Sequence, residues 1–357
     1  MIDFTDKSRQ RRLPAEWEHQ QAILVSLPDD TMDWAYMLDE VSECYHGIVA
    51  ALVATGSNVV VLTQSADAAA KLFADISQEK IRYVEMPLND TWVRDYGALV
   101  VTELSHRTGK RRLAALDCGF NGWGLKFASC HDNLATFRLH EAGKLYDIHY
   151  HNCRAFTIEG GSIESDGCGT ILTTSRCLCS PNRNGGLSKE EAGEYLSSMF
   201  GADHILWLDY GALEGDDTDS HIDTLARICP GDTIVYCGCS DSEDSQYEEL
   251  QAMKRQLQLF RTASGEPYNL IELPLPDAIY DKDNGERLPA TYCNYLVTND
   301  AVLVPSYSQP QKDELARRLL NVVFPDRKVV SVDCNALIRQ HGSLHCATMQ
   351  IPSETVL

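Results

Sequence analysis

The sequence has no long apolar run and no excess of basic residues, and these two absences exclude several classes of protein. No segment approaches the roughly 18 consecutive apolar residues that a membrane-spanning helix needs. The 357 residues include 31 Lys and Arg against 52 Asp and Glu, so the formal net charge is −21. Nucleic acids and anionic membranes are bound through basic patches, and we therefore expect neither as a partner. The acidic balance suits a small cationic ligand, although a solvated surface that aids solubility explains most of it.

We also expect no secretory leader, and the cysteines form no metal-binding pattern. Met1 to Arg12 is polar, without the apolar stretch of a signal peptide. The thirteen cysteines are an odd number, and their close pairs, Cys177 with Cys179 and Cys237 with Cys239, have one-residue gaps where zinc sites usually have two or more. We therefore expect a cytoplasmic protein with reduced thiols, most of them small core residues, and neither a metal nor an organic cofactor.

A supersecondary unit recurs about five times along the chain. Each unit reads as a strand, a turn, a second apolar strand, a helix and a third strand. Two helices are well marked: apolar residues from Leu38 to Leu52 recur at helical spacing, and Ser188 with Glu191 forms a capping box for a helix that ends at Gly201. The first unit lacks its first strand, and we predict that the last segment, residues 343–350, supplies it.

This repetition predicts an α/β fold in which five ββαβ units form one closed ring. Repeated supersecondary units form stacked or circular architectures, and joining the two ends of the chain would make a single domain over residues 1–357. The competing interpretation is a doubly wound parallel sheet. The strand–turn–strand pairs favour local antiparallel hairpins and therefore the ring.

Polar residues recur in or beside the first strand of different units, and in a ring these equivalent positions would meet at the axis. They are Asp95, Glu159, His221 with Asp223, Asn294 and Cys346. Each alone has a structural explanation, such as a surface ion pair or a turn residue. On a strand, His221 and Asp223 would share one face because the side-chain period is two. Together the set contains a nucleophile, an acid/base group and carboxylates, which points to an active site.

The chemistry of this set suits a guanidinium substrate. A thiolate attacks an electron-poor carbon, and carboxylates match the planar guanidinium with its five N–H donors. A histidine beside the thiol can protonate a leaving amine and then activate water. Burying several acids together is costly unless a cation joins them, so a guanidinium explains the acids where a neutral amide would not.

Other residues could bind the remainder of such a substrate. The acidic cluster over residues 214–219, which includes Asp217, could receive a second positive charge, or it is a solvated turn. Trp92 and Trp123 could stack on a guanidinium or an alkyl amine, or they belong to the core. His345 neighbours Cys346 and so faces away from it, which makes it a poorer base candidate than His221.

Seven motifs in order along the chain carry a family resemblance. They are Leu13–Trp17, Asn89–Gly97, Phe120–Gly124, Glu159–Gly161, Pro181–Asn184, Asp217–Asp223 and Leu344–Gln350. With these motifs the chain resembles the agmatine deiminases and the bacterial-type peptidyl-arginine deiminases of the guanidine-modifying superfamily. The resemblance runs nearly end to end, and it implies a five-bladed α/β propeller, the pentein fold.

The resemblance implies a role for each residue of the set. Cys346 stands where the family has its nucleophile, and His221 where it has its general acid and base. Asp95 and Asp223 stand where carboxylates hold the guanidinium nitrogens, and Glu159 where a carboxylate orients the histidine. The implied reaction converts agmatine and water into N-carbamoylputrescine and ammonia through a covalent thiouronium-type intermediate. It needs no cofactor, and a homodimer is a family-level expectation.

Comparing the motifs of the chain with those of the two family branches does not decide which guanidino compound is the substrate. The segment Gln340–Cys346 stands where agmatine deiminases usually have a Gly-rich run, and Ser220 replaces a usual glycine. Asn294 resembles a substrate-site asparagine of the peptidyl-arginine deiminase branch. Peptidyl-arginine or another guanidino compound is therefore the alternative substrate. A Cys-His amidase and a binding protein without turnover are more distant alternatives. The missing leader and appended domain favour a small cytoplasmic substrate.

Overall fold

The computed structural model describes residues 10–105, 108–145 and 148–353, and it shows an α/β chain whose strands form five small sheets. Most of the polar start of the chain, on which the expectation of no leader rests, lies outside the described residues. No helix within the described part combines the length and the apolar character needed to cross a bilayer.

The described residues contain sixteen strands. In chain order they are β1 Gln20–Ser26, β2 Val59–Thr63, β3 Ile81–Glu85, β4 Leu99–Leu104, β5 Arg111–Gly119, β6 His149–Thr157, β7 Ile163–Ser165, β8 Thr170–Thr174, β9 His204–Leu208, β10 Ala226–Cys229, β11 Thr233–Gly238, β12 Asn269–Pro274, β13 Leu296–Val297, β14 Ala301–Ser306, β15 Lys328–Asp333 and β16 Thr348–Pro352.

The helices range from one turn to seventeen residues. In chain order they are α1 Leu38–Ala54, α2 Ala66–Leu72, α3 Val93–Tyr96, α4 Gly122–Leu125, α5 Ala135–Glu141, α6 Ser175–Leu178, α7 Pro181–Asn184, α8 Lys189–Phe200, α9 Ile222–Leu225, α10 Tyr247–Leu257 and α11 Pro310–Val323. Short 3-10 turns also occur, and the one that matters for the site is Gly160–Ser162.

The five sheets repeat one topology. In four of them, β4 to β6, β7 to β9, β10 to β12 and β13 to β15, the first two strands are antiparallel and the last two parallel, with helical structure between the last two. The remaining sheet has the order β16-β1-β2-β3 and follows the same rule, with one extra parallel strand. The predicted ββαβ repetition is confirmed, and the doubly wound parallel sheet is not the architecture of the described residues.

The two ends of the chain share a sheet. Strand β16 pairs antiparallel with β1, with Ala22 opposite Ile351 and Val25 opposite Thr348. The last segment therefore supplies the strand that the first unit lacks, as the sequence predicts. This pairing joins positions more than 300 residues apart. It holds the segment just before β16, which carries Cys346, close to strand β1.

Local sequence explains the well-marked elements. Helix α1 buries Val41, Tyr45, Ile48, Val49 and Leu52 on one face, which is the predicted apolar stripe. Helix α8 begins with a complete capping box and ends at a left-handed glycine, both as predicted. The middle strands β2, β8 and β11 are buried throughout, as expected for strands covered on both faces.

The sequence prediction was wrong about the segments that carry the candidate site residues. The predicted strand over residues 221–225 is instead helix α9, with His221 as its N-cap. Likewise Asp95 lies in helix α3, Glu159 precedes the Gly160–Ser162 turn, and Cys346 lies in a turn before β16. Short apolar runs do not distinguish a strand from a helical turn. In all these units the polar residue lies in a tight turn just before the first strand.

Candidate active site

Turns from different sheets meet around Gly161. A Cβ atom at this position would lie 2.6 Å from His221 Nδ1, 2.9 Å from Asp95 Oδ1 and 3.1 Å from Asp223 Oδ2. The Gly161 N–H donates to Asp95 Oδ1 at 2.9 Å, and Cys346 Sγ lies 3.8 Å from Asp223 Oδ2. The structure therefore brings together four of the predicted residues, and it does so where a side chain larger than hydrogen would not fit.

Cys346 is a buried thiol whose backbone N–H is bound by the side chain of Asn294. Burial and the nearby Asp223 and Asp95 raise the pKa of Cys346 well above its usual value. The Cys346 N–H donates to Asn294 Oδ1 at 3.3 Å, and the Cys346 Sγ lies 3.4 Å from the same oxygen. The thiol is therefore protonated at neutral pH when nothing offsets the two acids.

His221 lies between two carboxylates without bonding fully to either. Its Nδ1 is 3.6 Å from Asp95 Oδ1 and its Nε2 is 3.6 Å from Glu159 Oε2, and neither ring nitrogen has a hydrogen-bond partner among the described residues. Burial alone would lower the pKa of His221, but the surrounding acceptors, Asp95 foremost, outweigh it and raise this pKa well above its usual value. The imidazole is therefore charged and carries protons it can give.

Glu159 is held by Arg183. The Arg183 Nε lies 3.0 Å and 2.8 Å from the two Glu159 oxygens. The same guanidinium bonds Asp219 Oδ2 at 2.6 Å and donates to the Thr218 carbonyl at 2.8 Å. Burial tends to raise the pKa of Glu159, but the nearby His221 and the Arg183 guanidinium lower it overall. Glu159 is therefore an ionised and firmly oriented carboxylate.

The two other carboxylates differ in their partners. Asp95 Oδ2 accepts a hydrogen bond from Trp123 Nε1 at 2.8 Å, and burial raises the pKa of Asp95. Asp223 Oδ2 lies 2.7 Å from His345 Nδ1, while its Oδ1 is buried and accepts no hydrogen bond within the described residues. Burial works to raise the pKa of Asp223, but His345 outweighs it and lowers the pKa. One oxygen of Asp223 is thus anchored and the other is available.

A cavity of about 440 Å³, including its open mouth, lies in front of Cys346. Its wall is formed by Asp90, Trp92, Asp95, Trp123, Phe127, Asp217, Thr218, Thr224, Gln340, His341, Gly342 and Cys346. The predicted substrate residues Trp92, Trp123 and Asp217 all lie on this wall. No Lys or Arg of the described chain lines it.

Asn294 is close to Cys346 but does not line the cavity. Its Oδ1 accepts from the backbone N–H groups of both His345, at 2.9 Å, and Cys346, at 3.3 Å. Its Nδ2 donates to the Asp223 carbonyl at 3.5 Å. The geometry makes Asn294 a support of the turn that carries Cys346, and its contact with substrate stays a prediction.

The backbone around the cavity mouth is strained. Two residues of the cavity wall have positive φ, Trp123 (54°) and His341 (65°), and so do three non-glycine residues close in sequence to wall residues, Leu125 (69°), Asp219 (65°) and Ser220 (66°). Such left-handed conformations are costly for side chains with a Cβ and cluster at functional sites. Lys126 connects the segment around Leu125 with the segment around Asp219, because its Nζ donates to Asp219 Oδ1 at 2.8 Å.

Some of the described groups have the donor set of a metal site. Glu159, Cys177 and His221 each offer one ligand atom, and these atoms lie within 4.8 Å of one another; the same holds for Glu16, Glu164 and His345, and for Glu103, His149 and His151. In the first group Arg183 already bonds both Glu159 oxygens, and a cation beside that guanidinium would be repelled. The expectation that no metal is needed stays a prediction.

Sequence reasoning missed Arg183, Gly161 and the buried Glu16 and Arg227 behind the site. Arg183 and Glu16 lie in motifs that support the family resemblance, Pro181–Asn184 and Leu13–Trp17, so the signal was present without a role attached. Their partners are far away in sequence. Spacing alone could therefore not reveal the contacts.

Known proteins resemble the chain along nearly its whole length. The family model described as Porphyromonas-type peptidyl-arginine deiminase matches residues 12–352. A Legionella pneumophila (strain Paris) protein named "Putative agmatine deiminase" is 31% identical over 344 residues, which cover 95% of each chain. A cysteine-to-serine variant of a C. jejuni agmatine deiminase, solved with substrate bound, is 35% identical with a TM-score of 0.87 and 96% coverage of both chains. The "Putative Arginine Deiminase" of Porphyromonas gingivalis is 43% identical with a TM-score of 0.88, covering 96% of this chain and 98% of that one.

Proposed function

Because the chain belongs to the family of Porphyromonas-type peptidyl-arginine deiminases, we propose that it hydrolyses the guanidinium group of agmatine to N-carbamoylputrescine and ammonia. Relatives at full length are named agmatine deiminases, one of them solved with substrate bound. The observation that carries the proposal is the cavity itself. The Cys346 thiol and Asp95 lie on its wall, His221 and Asp223 lie beside Asp95 around Gly161, and the wall holds further acids but no Lys or Arg.

The guanidinium binds between Asp95 and Asp223. The free Asp223 Oδ1 accepts a hydrogen bond from one substrate nitrogen. The Asp95 carboxylate, which lies next to His221, accepts a hydrogen bond from another substrate nitrogen. A buried carboxylate without a partner is unfavourable, so the cation stabilises both acids when it binds. This arrangement places the guanidinium carbon beside the Cys346 thiol, which lies 3.8 Å from Asp223 Oδ2.

Substrate binding also activates the thiol. In the empty site Asp223 and Asp95 hold the pKa of Cys346 high, and the arriving cation offsets their charges and lowers that pKa. The thiol proton leaves to solvent, and the resulting thiolate forms an S–C bond to the guanidinium carbon, which gives a neutral tetrahedral adduct. His221 then gives its proton to one amino nitrogen, and the C–N bond breaks to release ammonia and leave a thiouronium cation. Neutral His221 next takes a proton from water while the hydroxide oxygen bonds to the same carbon. The S–C bond breaks with its electrons on sulfur, and the remaining O–H proton passes through solvent to ammonia, which leaves the neutral ureido product and the thiolate.

Glu159 serves this cycle by positioning His221. Its carboxylate is fixed by Arg183 and lies 3.6 Å from His221 Nε2. The negative charge keeps the imidazole protonated until ammonia departs, and it keeps the ring oriented when the proton is gone.

The far end of agmatine is a primary amine, and the outer wall of the cavity supplies acids for it. Burial raises the pKa of Asp90 to about 6, so this carboxylate is still ionised at neutral pH. Asp217 lies on the same wall, and burial also raises its pKa. The rings of Trp92 and Trp123 flank the alkyl chain. A free α-carboxylate would meet these acids without a cation to balance it, so free arginine is a poor substrate.

We also propose that the five sheets are the blades of one closed propeller, a single domain over residues 1–357. The pairing of β16 with β1 and the convergence of the site turns support a ring. Arg227 on β10 supports it as well, because it contacts Glu164 on β7, the carbonyl of Tyr295 beside β13, and Glu16 before β1. One side chain thus reaches three other sheets, as expected at an axis. The homodimer stays a prediction.

A substrate comparison tests the proposed reaction. The purified chain is incubated with agmatine, free arginine and a peptide with an internal arginine, and ureido product and ammonia are measured. We expect kcat/KM for agmatine to exceed that for arginine by at least ~100-fold, since an unpaired buried charge costs about 3 kcal/mol or more. Citrulline formed in the peptide with no product from agmatine would instead assign the alternative substrate.

A second prediction concerns Gly161, around which His221, Asp95 and Asp223 lie. Gly161→Ala would place a methyl group 2.6 Å from His221 Nδ1, so the imidazole or Asp95 must move. We expect kcat to fall roughly 100-fold, because displacements near 1 Å cost about that much in catalysis. Gly193→Ala is the matched control: it lies on helix α8, and its Cβ would approach only Ile205 at 3.3 Å. If Gly161→Ala retained full activity, the site geometry described here would be wrong.

A further inference from the structure

His345, the neighbour of the nucleophile, lies on the side away from the cavity and joins two carboxylates. Its Nδ1 is 2.7 Å from Asp223 Oδ2, and its Nε2 is 2.6 Å from Glu16 Oε2. All three side chains are at least nine-tenths buried. Nothing in the proposed reaction uses His345 or Glu16, although both lie in motifs that the family resemblance rests on.

The contact with Asp223 places a proton on one ring nitrogen of His345. His345 Nδ1 lies 2.7 Å from an oxygen of Asp223, whose pKa is lowered overall against the effect of burial, and a hydrogen bond to this carboxylate needs a proton on the nitrogen. His345 Nε2 lies between Glu16 Oε2, at 2.6 Å, and Arg227 Nη2, at 3.1 Å. The His345 ring therefore donates its Nδ1–H to Asp223.

The surroundings of His345 hold it in one orientation. Its backbone N–H donates to Asn294 Oδ1 at 2.9 Å, and its carbonyl accepts from Arg94 Nε at 3.3 Å. Arg227 Nη2 lies 3.1 Å from His345 Nε2 and bonds Glu16 on the same side. The ring can neither rotate nor withdraw without breaking a buried polar contact, so its Nδ1–H points at Asp223.

We propose that His345 is a positioning residue that acts through Asp223. By engaging Asp223 Oδ2 with its Nδ1–H, it leaves Oδ1 as the oxygen that accepts from the substrate. Glu16 and Arg227 in turn hold the ring. This inference rests on the proposed function, because it assigns a partner to a carboxylate that is proposed to bind the guanidinium.

A pair of amide substitutions separates this role from simple packing. The side-chain nitrogen of Asn reaches the place of Nδ1, whereas that of Gln reaches the place of Nε2. His345→Asn therefore keeps a donor for Asp223, and His345→Gln keeps one for Glu16 only. Both lose the ring, so a purely structural role predicts similar effects.

The measurement is agmatine binding by calorimetry in a Cys346→Ser background, where turnover is blocked, together with KM in chains that retain Cys346. We expect His345→Gln to weaken binding and raise KM by a factor of roughly 10 to 100, the range for a lost charge-assisted hydrogen bond, with a smaller change in kcat. His345→Asn should stay within about 5-fold of the parent. Equal weakening by both variants, or by neither, would overturn the proposal. Failure of the Cys346→Ser chain itself to bind agmatine would count against the proposed function instead.

A spectroscopic measurement keeps the inference testable if His345→Gln does not fold. Nitrogen-15 NMR of the histidine-labelled, unsubstituted protein should show a proton on Nδ1 of His345. The His345→Asn spectrum identifies the signals by their loss. A neutral His345 with a bare Nδ1 would show that it does not donate to Asp223, and the inference would fail.

Discussion

Cys346→Ala is expected to lower kcat for agmatine by roughly 10⁵-fold or more, to the background of the uncatalysed reaction, as is typical when a covalent nucleophile is removed. The reason is the covalent step: without Sγ no bond to the guanidinium carbon can form. Agmatine should still bind, because Asp95 and Asp223 remain. Ammonia release in a coupled assay measures kcat, and calorimetry measures the retained binding.

The other twelve cysteines make this test specific. All thirteen are free thiols, and most are buried. Cys237, fully buried in β11, is the matched control, and Cys237→Ala should keep kcat within a few-fold of the parent, since the loss of a buried thiol away from the site affects stability only. Unchanged ammonia release by Cys346→Ala would remove Cys346 from the chemistry.

Asp95→Asn is expected to lower kcat/KM for agmatine about 10³-fold, the scale of a buried charge pair that loses one partner. The amide keeps the size of the side chain and an oxygen for Trp123, but it removes the charge that holds the guanidinium and protonates His221. Asp223→Asn should have a comparable effect on kcat/KM. Asp117→Asn is the control, because Asp117 is an equally buried carboxylate on β5 that bonds Tyr150 and does not line the cavity.

The activity of the unsubstituted chain is also expected to depend on pH through Asp95. Burial raises the pKa of Asp95, and the acid must be ionised to bind the cation. Activity of the unsubstituted chain should therefore fall as pH drops through this raised pKa. In Asp95→Asn that acidic limb should disappear or move to lower pH, because the group that titrates is gone. An acidic limb that stays in place would assign it to another residue, and an undiminished kcat/KM would exclude Asp95 from substrate binding.

Much of the fold follows from local patterns. Strands rich in Val, Ile and Leu, the apolar stripe of α1 and the capping box of α8 are set by residues within a few positions of one another, and the structure confirms them. The pairing of β16 with β1 was also predictable, because counting strands per unit showed that the first unit was short of one.

The turns and the partners within the site could not be predicted in the same way. A run such as residues 221–225 suits a strand by composition, yet its backbone is set by long-range contacts, among them the Arg183 bond to the Thr218 carbonyl upstream. The contact between His345 and Glu16 joins positions 329 apart in sequence. Residue types led to the candidate nucleophile, base and acids, which the structure brings close together, whereas the supporting contacts depend on how distant units pack.

The site residues lie in turns that are far apart in sequence, so the ribosome synthesises them in a fixed order. Asp95, Glu159 and the His221 segment leave the exit tunnel well before Cys346, and strand β1 emerges long before its partner β16. Until translation reaches that strand, the first sheet has an unpaired edge and the acids have no thiol beside them. On the proposed mechanism, a nascent chain cannot react until Cys346 emerges, just before the strand that completes the first sheet.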